Sequence, residues 1–402
     1  MIRVSIPLAG FNLSGGVKSL CGVANALAER GHRVRVLVPD YAAHPPVALH
    51  PEVRVRVLRS GPSRLPAPAR KLVHLARLAT TATAGADVCL ANYFTTAYAA
   101  VASKLLRGDQ TILAYNVRGY EPISHGLDAA ASLPSRVIRS GIAWVSYRLP
   151  LHKIVTTEWL RERTGDPSAY VVGHGIDLAV FRRPARLRKA TSEVVVGAIA
   201  RESDVKGYPD LLRALALLPT TLPMRLRIAR PDPVPLPERF PVETSHRTTE
   251  PAMADFYGGC DVFVFSSRAE GFGLPALEAM ARGCAVVTTD CGGVNAFASA
   301  GENCLMVPPI DPRALADAIS AVVDDADLRA RLGAAGIATA AAFGRDAVLA
   351  RFCDYLERLA QSAKRPTPPL AAPTAATAPE APAAYHAATS HRGCVTSDLT
   401  AT

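Results

Sequence analysis

The stretch Cys260–Gly293, CDVFVFSSRAEGFGLPALEAMARGCAVVTTDCGG, contains the signals of a strand, a loop, a helix and a second strand. An apolar run, Val262–Phe265, predicts the first strand, and Ala285–Thr289 predicts the second. Between them a helical pattern begins near Pro275 and ends at Gly283. This order is typical of a βαβ unit in an α/β sheet.

Two carboxylates, Glu270 and Glu278, bracket the loop of this unit. Because Pro275 suits the first turn of a helix, the loop should present backbone N–H groups at a helix N-terminus, where anions bind. Glu278 falls about one turn into the helix and leans back toward the loop, so it could accept hydrogen bonds from a ribose diol. Glu270 could bind another polyhydroxyl group. The residues between them that should line the site are Gly271, Phe272, Gly273 and Leu274.

The length and composition indicate a globular protein of two domains. At 402 residues the chain exceeds one compact core, and its apolar (49%) and charged (20%) fractions are ordinary. No run of apolar residues predicts a membrane-spanning helix, and no signal peptide is evident. The eight cysteines form no C-x-x-C pair, which indicates buried thiols in a reducing compartment. A cytoplasmic protein is therefore expected.

The net charge of +10 is unevenly distributed. Residues 1–177 contain 21 Lys and Arg against 11 Asp and Glu, whereas residues 178–402 contain 24 of each. A basic half favours an anionic partner such as acidic lipid, a phosphorylated ligand or nucleic acid. No aromatic-interleaved basic run or nucleic-acid-binding motif is present, so nucleic acid is not expected. Solvated arginines of an arginine-rich composition are the alternative explanation.

A second glycine-rich loop lies near the N-terminus. The strand pattern Ile2–Leu8 is followed by AGFNLSGGVKS and by helical periodicity over Leu20–Arg30. Gly15 and Gly16 would let the backbone approach an anion or a hydroxyl at the start of that helix. The loop is not a P-loop, because two extra residues separate Gly15 from Lys18. A plain tight turn fits the pattern equally well.

The segment Pro68–Ala82 predicts a basic amphipathic helix. Leu72, Leu75 and Leu78 share one face, and the basic residues with His74 lie mostly elsewhere. Such a helix can rest on an anionic bilayer, although packing on its own domain is the commoner arrangement.

The segment Asn116–Asp128 predicts a loop after a strand, at the sheet edge where open α/β sheets bind ligands. It contains Glu121 and His125, and either side chain could serve as a general base for an acceptor. A histidine in a loop is also often incidental.

The alternation of strands and helices pauses at the GHGID run, Gly173–Asp177, and restarts with the strand Val194–Ile199. We therefore expect two similar halves joined by a hinge. The expected parts are an acceptor-binding domain over 1–173, a donor-binding domain over 174–344, a helix over 345–362 that crosses back to the first domain, and a disordered Pro-, Ala- and Thr-rich tail over 363–402.

Several of these motifs together resemble the retaining glycosyltransferases of family 4. EGFGLPALE matches the E-x7-E motif, and the flanking DVFVFSS, EAMARGCAVVTTDCGG and NCLMVPPIDP match almost throughout. GAIARESDVKG, Gly197–Gly207, is similar to the G-x-x-R…K-G run, and HGID is similar to the interdomain G-V-D motif. AYNVRGYEP and SYRLPLHKIVTTEWL look like the rhamnosyltransferase-like branch. The chain departs from the family at Asn295, where a glutamate often stands.

The resemblance implies the GT-B fold, in which two Rossmann-like, doubly wound parallel-sheet domains face a central cleft. It implies that Arg201 and Lys206 bind the donor diphosphate and act with Glu270 in catalysis, while Glu278 holds the ribose. It implies no catalytic metal and no cofactor, with a nucleotide diphosphate sugar as co-substrate. The D-x-D run Asp325–Asp327 lies at a helix start and indicates capping instead of a metal site.

The sequence thus predicts a retaining hexosyltransferase that moves a hexose or deoxyhexose to a hydroxyl. The expected acceptor is a cell-envelope glycan, a lipid-linked molecule or a small secondary metabolite. Closure about Gly173–Asp177 would exclude water from the reaction. The alternatives are a sugar-nucleotide epimerase and a non-catalytic sugar-nucleotide-binding protein. The basic half adds the expectation of peripheral contact with an anionic membrane at its inner face.

Overall fold

Strands and helices alternate along the chain, and the computed structural model arranges them as two parallel sheets with helices on their faces. The structure describes residues 1–12, 15–182, 193–246 and 249–362. The disordered tail predicted for 363–402 lies outside the described residues.

The first sheet has seven parallel strands in the order β3-β2-β1-β4-β5-β6-β7. Its central strands are almost continuously apolar because helices cover both faces of the sheet. The strand order reverses between β1 and β4, and the carboxyl ends of strands at such a point form a ligand crevice. The strands are β1 (Arg3–Pro7), β2 (Arg33–Pro39), β3 (Arg54–Leu58), β4 (Val88–Ala91), β5 (Ile112–Val117), β6 (His152–Val155) and β7 (Tyr170–Val171).

The second sheet has six parallel strands in the order β10-β9-β8-β11-β12-β13. Here the order reverses between β8 and β11, so the loops after these two strands share one crevice. The strands are β8 (Val194–Ile199), β9 (Met224–Ala229), β10 (Val242–Ser245), β11 (Val262–Phe265), β12 (Ala285–Thr289) and β13 (Cys304–Val307).

The described residues contain thirteen α-helices, which pack on the two sheets. Those of the first half are α1 (Gly15–Glu29), α2 (Ala67–Thr81), α3 (Phe94–Arg107), α4 (Glu121–Gly126), α5 (Leu133–Ser146) and α6 (Glu158–Thr164). Those that follow are α7 (Leu178–Phe181), α8 (Tyr208–Leu217), α9 (Glu250–Gly258), α10 (Leu274–Ala281), α11 (Pro312–Asp324), α12 (Ala326–Ala340) and α13 (Arg345–Ser362).

The last described helix, α13, packs on the first sheet's α1 and not on the half that precedes it in sequence. Phe352 and Leu356 are buried in the same apolar core as Leu20 of α1. Arg30, just beyond α1, donates to Asp354 at 2.6 Å. The chain therefore crosses from the second sheet back to the first after α12.

The cysteines of the described residues, seven in number, are all buried free thiols, as the sequence predicts. Among the described helices none is both long enough and apolar enough to cross a bilayer.

The apolar face predicted for α2 is correct in part, since Leu78 is buried and Leu75 packs against its cluster. His74 is buried, and its Nε2 lies 2.8 Å from the carbonyl oxygen of Leu8, whereas Leu72 is 68% exposed. Burial lowers the pKa of His74, so a neutral imidazole donates to this carbonyl. The sequence pattern missed this because the partner of His74 is a backbone group 66 residues away.

The loop expected over Asn116–Asp128 is partly helical. Its first residues extend β5, and Glu121–Gly126 forms α4. Pro122 lies in the first turn of this helix, where its missing N–H costs nothing.

Candidate active site

The loop from Glu270 to Gly273 is held in shape by the glycine pair that follows β12. The backbone N–H of Glu270 donates to the carbonyl of Cys291 at 2.9 Å, and that of Gly293 donates to the carbonyl of Glu270 at 3.0 Å. A Cβ at Gly293 would lie 2.5 Å from the same carbonyl oxygen, so only glycine allows this approach. Gly273 has φ +95° and precedes α10, which turns the loop's N–H groups toward the crevice.

Lys206 and Glu270 meet at the carboxyl edge of the second sheet. The Lys206 Nζ lies 2.7 Å from Glu270 Oε1, which also accepts a hydrogen bond from the Ser267 hydroxyl at 2.8 Å. The Lys206 side chain is 35% exposed and the Glu270 side chain 15%, so the pair lines the crevice and is not buried in the core. A cation and a carboxylate therefore stand together where a polar ligand would enter.

A second ion pair fixes the segment that carries Lys206. Arg268, in the loop after β11, binds Asp210 of α8 through two hydrogen bonds of 2.6 and 2.9 Å. Its backbone N–H donates to the carbonyl of Val205 at 2.8 Å. Because Asp210 is buried and bidentate guanidinium pairing is directional, this contact sets the position of Lys206 relative to Glu270.

Arg201 lies after β8, as the motif predicts, but its described ion pair is with Asp232. Its Nε is 3.5 Å from the Asp232 carboxylate, which also accepts from the backbone N–H of Glu202 at 3.0 Å. Arg201 is 40% exposed. The structure thus places Arg201 at the same sheet edge as Lys206 without bringing it into the Lys206–Glu270 pair.

Glu278 projects from α10 toward α9, where the Tyr257 hydroxyl donates to its Oε2 at 2.9 Å. Burial raises the pKa of Glu278 to about 7, while this hydrogen bond and the charge of Lys18 act in the opposite direction. Burial and the neighbouring Glu278 charge raise the pKa of Tyr257 well above its usual range, so its hydroxyl remains a donor. The carboxyl group is therefore oriented by Tyr257.

The start of α1 and the predicted donor loop approach each other through Arg118. Gly15 and Gly16 are the first residues of α1, and a Cβ at Gly16 would be 3.8 Å from the Arg118 side chain. The two glycines thus border the crevice, on the side opposite the predicted donor loop.

The predicted donor loop touches the first half of the chain directly. The carbonyl of Gly271 accepts hydrogen bonds from the hydroxyls of Thr156 and Thr157 at 2.9 and 3.2 Å. A Cβ on Gly271 would lie 1.9 Å from the carbonyl oxygen of Arg118. The close approach of the two halves therefore depends on glycine at this position. Phe272 is buried against His174, and Leu274 begins α10.

Arg118 and His174 form a half-buried pair that the sequence did not reveal as a site. Arg118 Nη1 lies 2.9 Å from His174 Nε2, which must accept because the guanidinium can only donate. Burial, and then the charge of Arg118, lowers the pKa of His174 to about 3, so the imidazole is neutral. Burial also lowers the pKa of Arg118 to about 10, and its Nε has no hydrogen-bond partner within the described residues. The signal in the sequence was an arginine directly after β5, together with a histidine in the HGID run.

Glu121 and His125 lie together on α4 in an aromatic pocket of the first half. Glu121 Oε2 accepts from the backbone N–H of Phe94 and from the Tyr115 hydroxyl, both at 3.2 Å. Burial raises the pKa of Glu121 to about 8 and lowers that of His125. The Tyr93 hydroxyl lies 3.1 Å from His125 Nε2. Both groups are therefore neutral at neutral pH, so the His125 imidazole can accept a proton whereas the Glu121 carboxyl already carries one.

The described residues contain no group of three or more His, Cys, Asp or Glu side chains that could hold a metal ion. The D-x-D run behaves as predicted, because Asp325 caps α12 by accepting from the backbone N–H of Leu328 at 2.9 Å. Asn295, which stands where a glutamate was expected, donates to Asp290 at 2.8 Å.

Two family models match the chain, and together they cover more than half of it. "Glycosyl transferase 4-like domain" matches residues 14–165, and "Glycosyl transferases group 1" matches residues 193–325. Among solved structures, sucrose-phosphate synthase from Thermosynechococcus elongatus superposes with a TM-score of 0.75 at 20% identity, over 90% of this chain and all of that one. Anabaena HepE in complex with UDP-glucose superposes with a TM-score of 0.63 at 18% identity, over 89% of this chain and all of that one.

Two curated relatives add sequence similarity. The D-inositol 3-phosphate glycosyltransferase of Thermobispora bispora is 27% identical over 386 residues, covering 84% of this chain and 88% of the relative. The lipopolysaccharide core biosynthesis mannosyltransferase LpsB of Rhizobium meliloti is 41% identical over 88 residues, 21% of this chain and 25% of the relative.

The two facing parallel sheets, with a glycine loop and a carboxylate-flanked helix start at their crevice, define a glycosyltransferase of the GT-B fold. The chain belongs to the group 1, family 4-like glycosyltransferases. The GT-B fold and the family expected from the motifs are confirmed, while the rhamnosyltransferase-like branch stays a prediction.

Proposed function

We propose that the chain transfers a hexose or deoxyhexose from a nucleotide diphosphate sugar to an acceptor hydroxyl with retention of configuration and without a catalytic metal. The observation that carries this proposal is the Lys206–Glu270 pair, 2.7 Å apart beside the N-terminus of α10. A cation at this point suits a departing diphosphate, and a carboxylate suits the hydroxyls of a sugar.

Donor binding would replace the Lys206–Glu270 ion pair with contacts to the donor. The Lys206 ammonium and the Arg201 guanidinium would bind its diphosphate oxygens, while Glu270 would accept hydrogen bonds from hydroxyls of the transferred sugar. The backbone N–H groups at the start of α10, Gly273 and Leu274, would add positive dipole at the phosphates. Glu278, oriented by Tyr257, would accept hydrogen bonds from the ribose.

In the reaction, the leaving diphosphate itself would act as the base for the acceptor hydroxyl. As the bond from the anomeric carbon to the diphosphate oxygen breaks, its electron pair passes to that oxygen, and Lys206 with Arg201 stabilises the new charge. The acceptor oxygen attacks the same face of the oxocarbenium-like sugar, and its proton passes to a leaving phosphate oxygen. Configuration is retained and no protein nucleophile is needed.

The acceptor would bind on the side of the first sheet, among Gly15, Gly16, Arg118, Glu121 and His125. The basic charge of this half favours an acceptor or carrier with a negative group. Relatives whose names specify inositol 3-phosphate or a lipopolysaccharide core as context support an anionic or envelope-associated acceptor over a neutral metabolite.

The first experiment is a panel of nucleotide sugars, including UDP-glucose, ranked by thermal shift, because a ligand that binds the folded state raises its midpoint. With the best donor, release of free nucleotide is measured with and without candidate acceptors. We expect Lys206→Ala and Glu270→Ala to lower kcat/KM by about 10²–10³-fold. Arg313→Ala, on the exposed face of α11, is the matched control.

The outcomes separate the alternatives. Nucleotide released only with acceptor identifies a transferase, an epimerised sugar without acceptor identifies an epimerase, and binding with neither product identifies a binding protein. Full turnover by Glu270→Ala would refute the site assignment. Inverted product configuration by NMR would refute retention, and loss of activity with a chelator would refute metal independence.

A further inference from the structure

The helix α5 presents an apolar face to solvent, the reverse of the usual arrangement. Its buried residues are small, Ala143 and Ser146, whereas Val137 and Ile138 are 64% and 60% exposed. Ile142 and Val145 continue the same stripe at helical spacing. Contiguous exposed apolar surface of this kind marks a site of interaction with a partner or a membrane.

Arginines flank this face, and residues 129–157 contain no Asp or Glu. The lysine of this segment, Lys153, is buried in an ion pair with Asp166 and does not contribute to the face. The Arg148 guanidinium lies 3.8 Å from the centroid of the Trp144 ring, which is 45% exposed. Arg139 is partly neutralised by Asp128 at 3.2 Å. An indole beside an arginine, next to an apolar stripe, is the composition of helices that lie in a bilayer interface.

The apolar face continues into an open groove of about 450 Å³ between α5 and α4. Leu133, Val137 and Trp144 line one wall of the groove, and Tyr120 and Pro122 line the other. Pro122 and Gly126 of α4 line the groove, so it borders the helix that carries Glu121 and His125 of the proposed acceptor pocket.

We propose that the exposed face of α5 docks on an anionic phospholipid bilayer and so brings the acceptor pocket to lipid-linked acceptors at the membrane surface. The charge of the face favours an anionic bilayer over a second copy of the chain. A symmetric dimer through this face would bring arginines together, and residues 129–157 contain no Asp or Glu to neutralise them. The surface differs from α2, the helix that the sequence pattern favours, where Leu72 is exposed but Leu78 is buried and Leu75 is partly buried. The naming of the acceptor class rests on the proposed transferase function, whereas the docking itself does not.

The test is flotation of the full chain with vesicles of phosphatidylcholine containing phosphatidylglycerol, against phosphatidylcholine alone. We expect binding to the anionic vesicles that weakens between about 0.1 and 1 M salt, because screening shortens the range of the arginine charges. The double variant Ile138→Glu/Ile142→Glu should partition at least about tenfold more weakly, because it replaces two interfacial apolar groups with anions. Leu72→Glu and Leu217→Glu, exposed leucines elsewhere, should float like the wild type.

Two further readouts keep the result interpretable. Emission of the wild-type protein should shift to the blue on anionic vesicles, and Trp144→Phe should abolish that shift. Thermal shift with the best nucleotide sugar should be unchanged in Ile138→Glu/Ile142→Glu, which shows an intact fold and donor site. Failure of the wild type to float at low salt, or equal flotation of the double variant, would overturn docking. A wild-type dimer that the double variant dissociates would show that a second copy occupies the face.

Discussion

Replacing Glu278 by Gln isolates the effect of its charge in the proposed donor pocket. Burial raises the pKa of Glu278 from 4.5 to about 7, so the folded state holds this proton more tightly than the unfolded state does. The stability contributed by the proton is fully present below about pH 4.5 and is lost as pH rises through about 7. Glutamine keeps an oxygen that can accept from the Tyr257 hydroxyl but cannot ionise, so the variant should lack this loss.

The magnitude follows from the same values. A rise in pKa from 4.5 to about 7 corresponds, at about 1.4 kcal/mol per pKa unit, to about 3 kcal/mol once both states are ionised. Between about pH 5 and pH 8 the wild type should therefore lose about 2–3 kcal/mol more of its free energy of unfolding than Glu278→Gln does. Other groups that titrate in this range, including Glu121, contribute equally to both proteins and cancel in the difference.

The assay is urea unfolding of both proteins at the two pH values, followed by a signal from the second half of the chain. Asp317→Asn, a carboxylate 64% exposed on α11, is the control and should follow the wild type. Parallel loss of stability in wild type and Glu278→Gln would refute the reasoning, since it would mean that the Glu278 carboxylate is solvated in the folded state. If Glu278→Gln is more stable than the wild type at the higher pH but binds nucleotide more weakly, the Glu278 carboxylate contributes to ligand binding at the expense of stability.

Two further substitutions test the frame around the site. Gly271→Ala places a methyl 1.9 Å from the Arg118 carbonyl oxygen, so the two halves must separate, and we expect kcat/KM to fall about 10²-fold with the fold retained. Gly119→Ala, where a methyl meets nothing within 4 Å, is its control, and equal activity of the two variants would contradict the prediction. Arg268→Met leaves the buried Asp210 short of its bidentate partner and should cost about 3 kcal/mol in urea unfolding, with Arg313→Met as an exposed control. A loss no larger than that of the control would contradict it.

The parts of the fold and site that depend on neighbouring residues could be predicted from the sequence. The unit from Cys260 to Gly293 is one, because its apolar runs, its proline and its glycines act within a few residues of each other. Lys206 and Glu270 were placed at one site through motif resemblance, and their ion pair, 64 residues apart in sequence, is consistent with that placement.

The parts that depend on tertiary contacts could not be predicted. His74 points inward because its imidazole binds the carbonyl oxygen of Leu8, the residue directly after β1. The periodicity of α2 does not predict this contact. The pairing of Arg118 with His174 joins positions 56 residues apart, and the exposure of Ile138 depends on where α3 and α4 lie. An apolar helix is expected to be buried by its pattern alone, so the outward face of α5 is visible only in three dimensions.

The contacts at Gly271 hold the two halves of the chain close together, so the halves must part before substrates can enter the crevice between them. The Gly271 carbonyl accepts from Thr156 and Thr157, and the turn at Gly292 lies against the Trp159 ring. Each hydrogen bond contributes only about 0.5–1.5 kcal/mol net, because water replaces the lost partner when the halves part. These two hydrogen bonds together therefore add only about 1–3 kcal/mol to the cost of opening. A bound donor that touches both halves would add to these contacts, so closure should follow donor binding and exclude water before the glycosidic bond of the donor breaks.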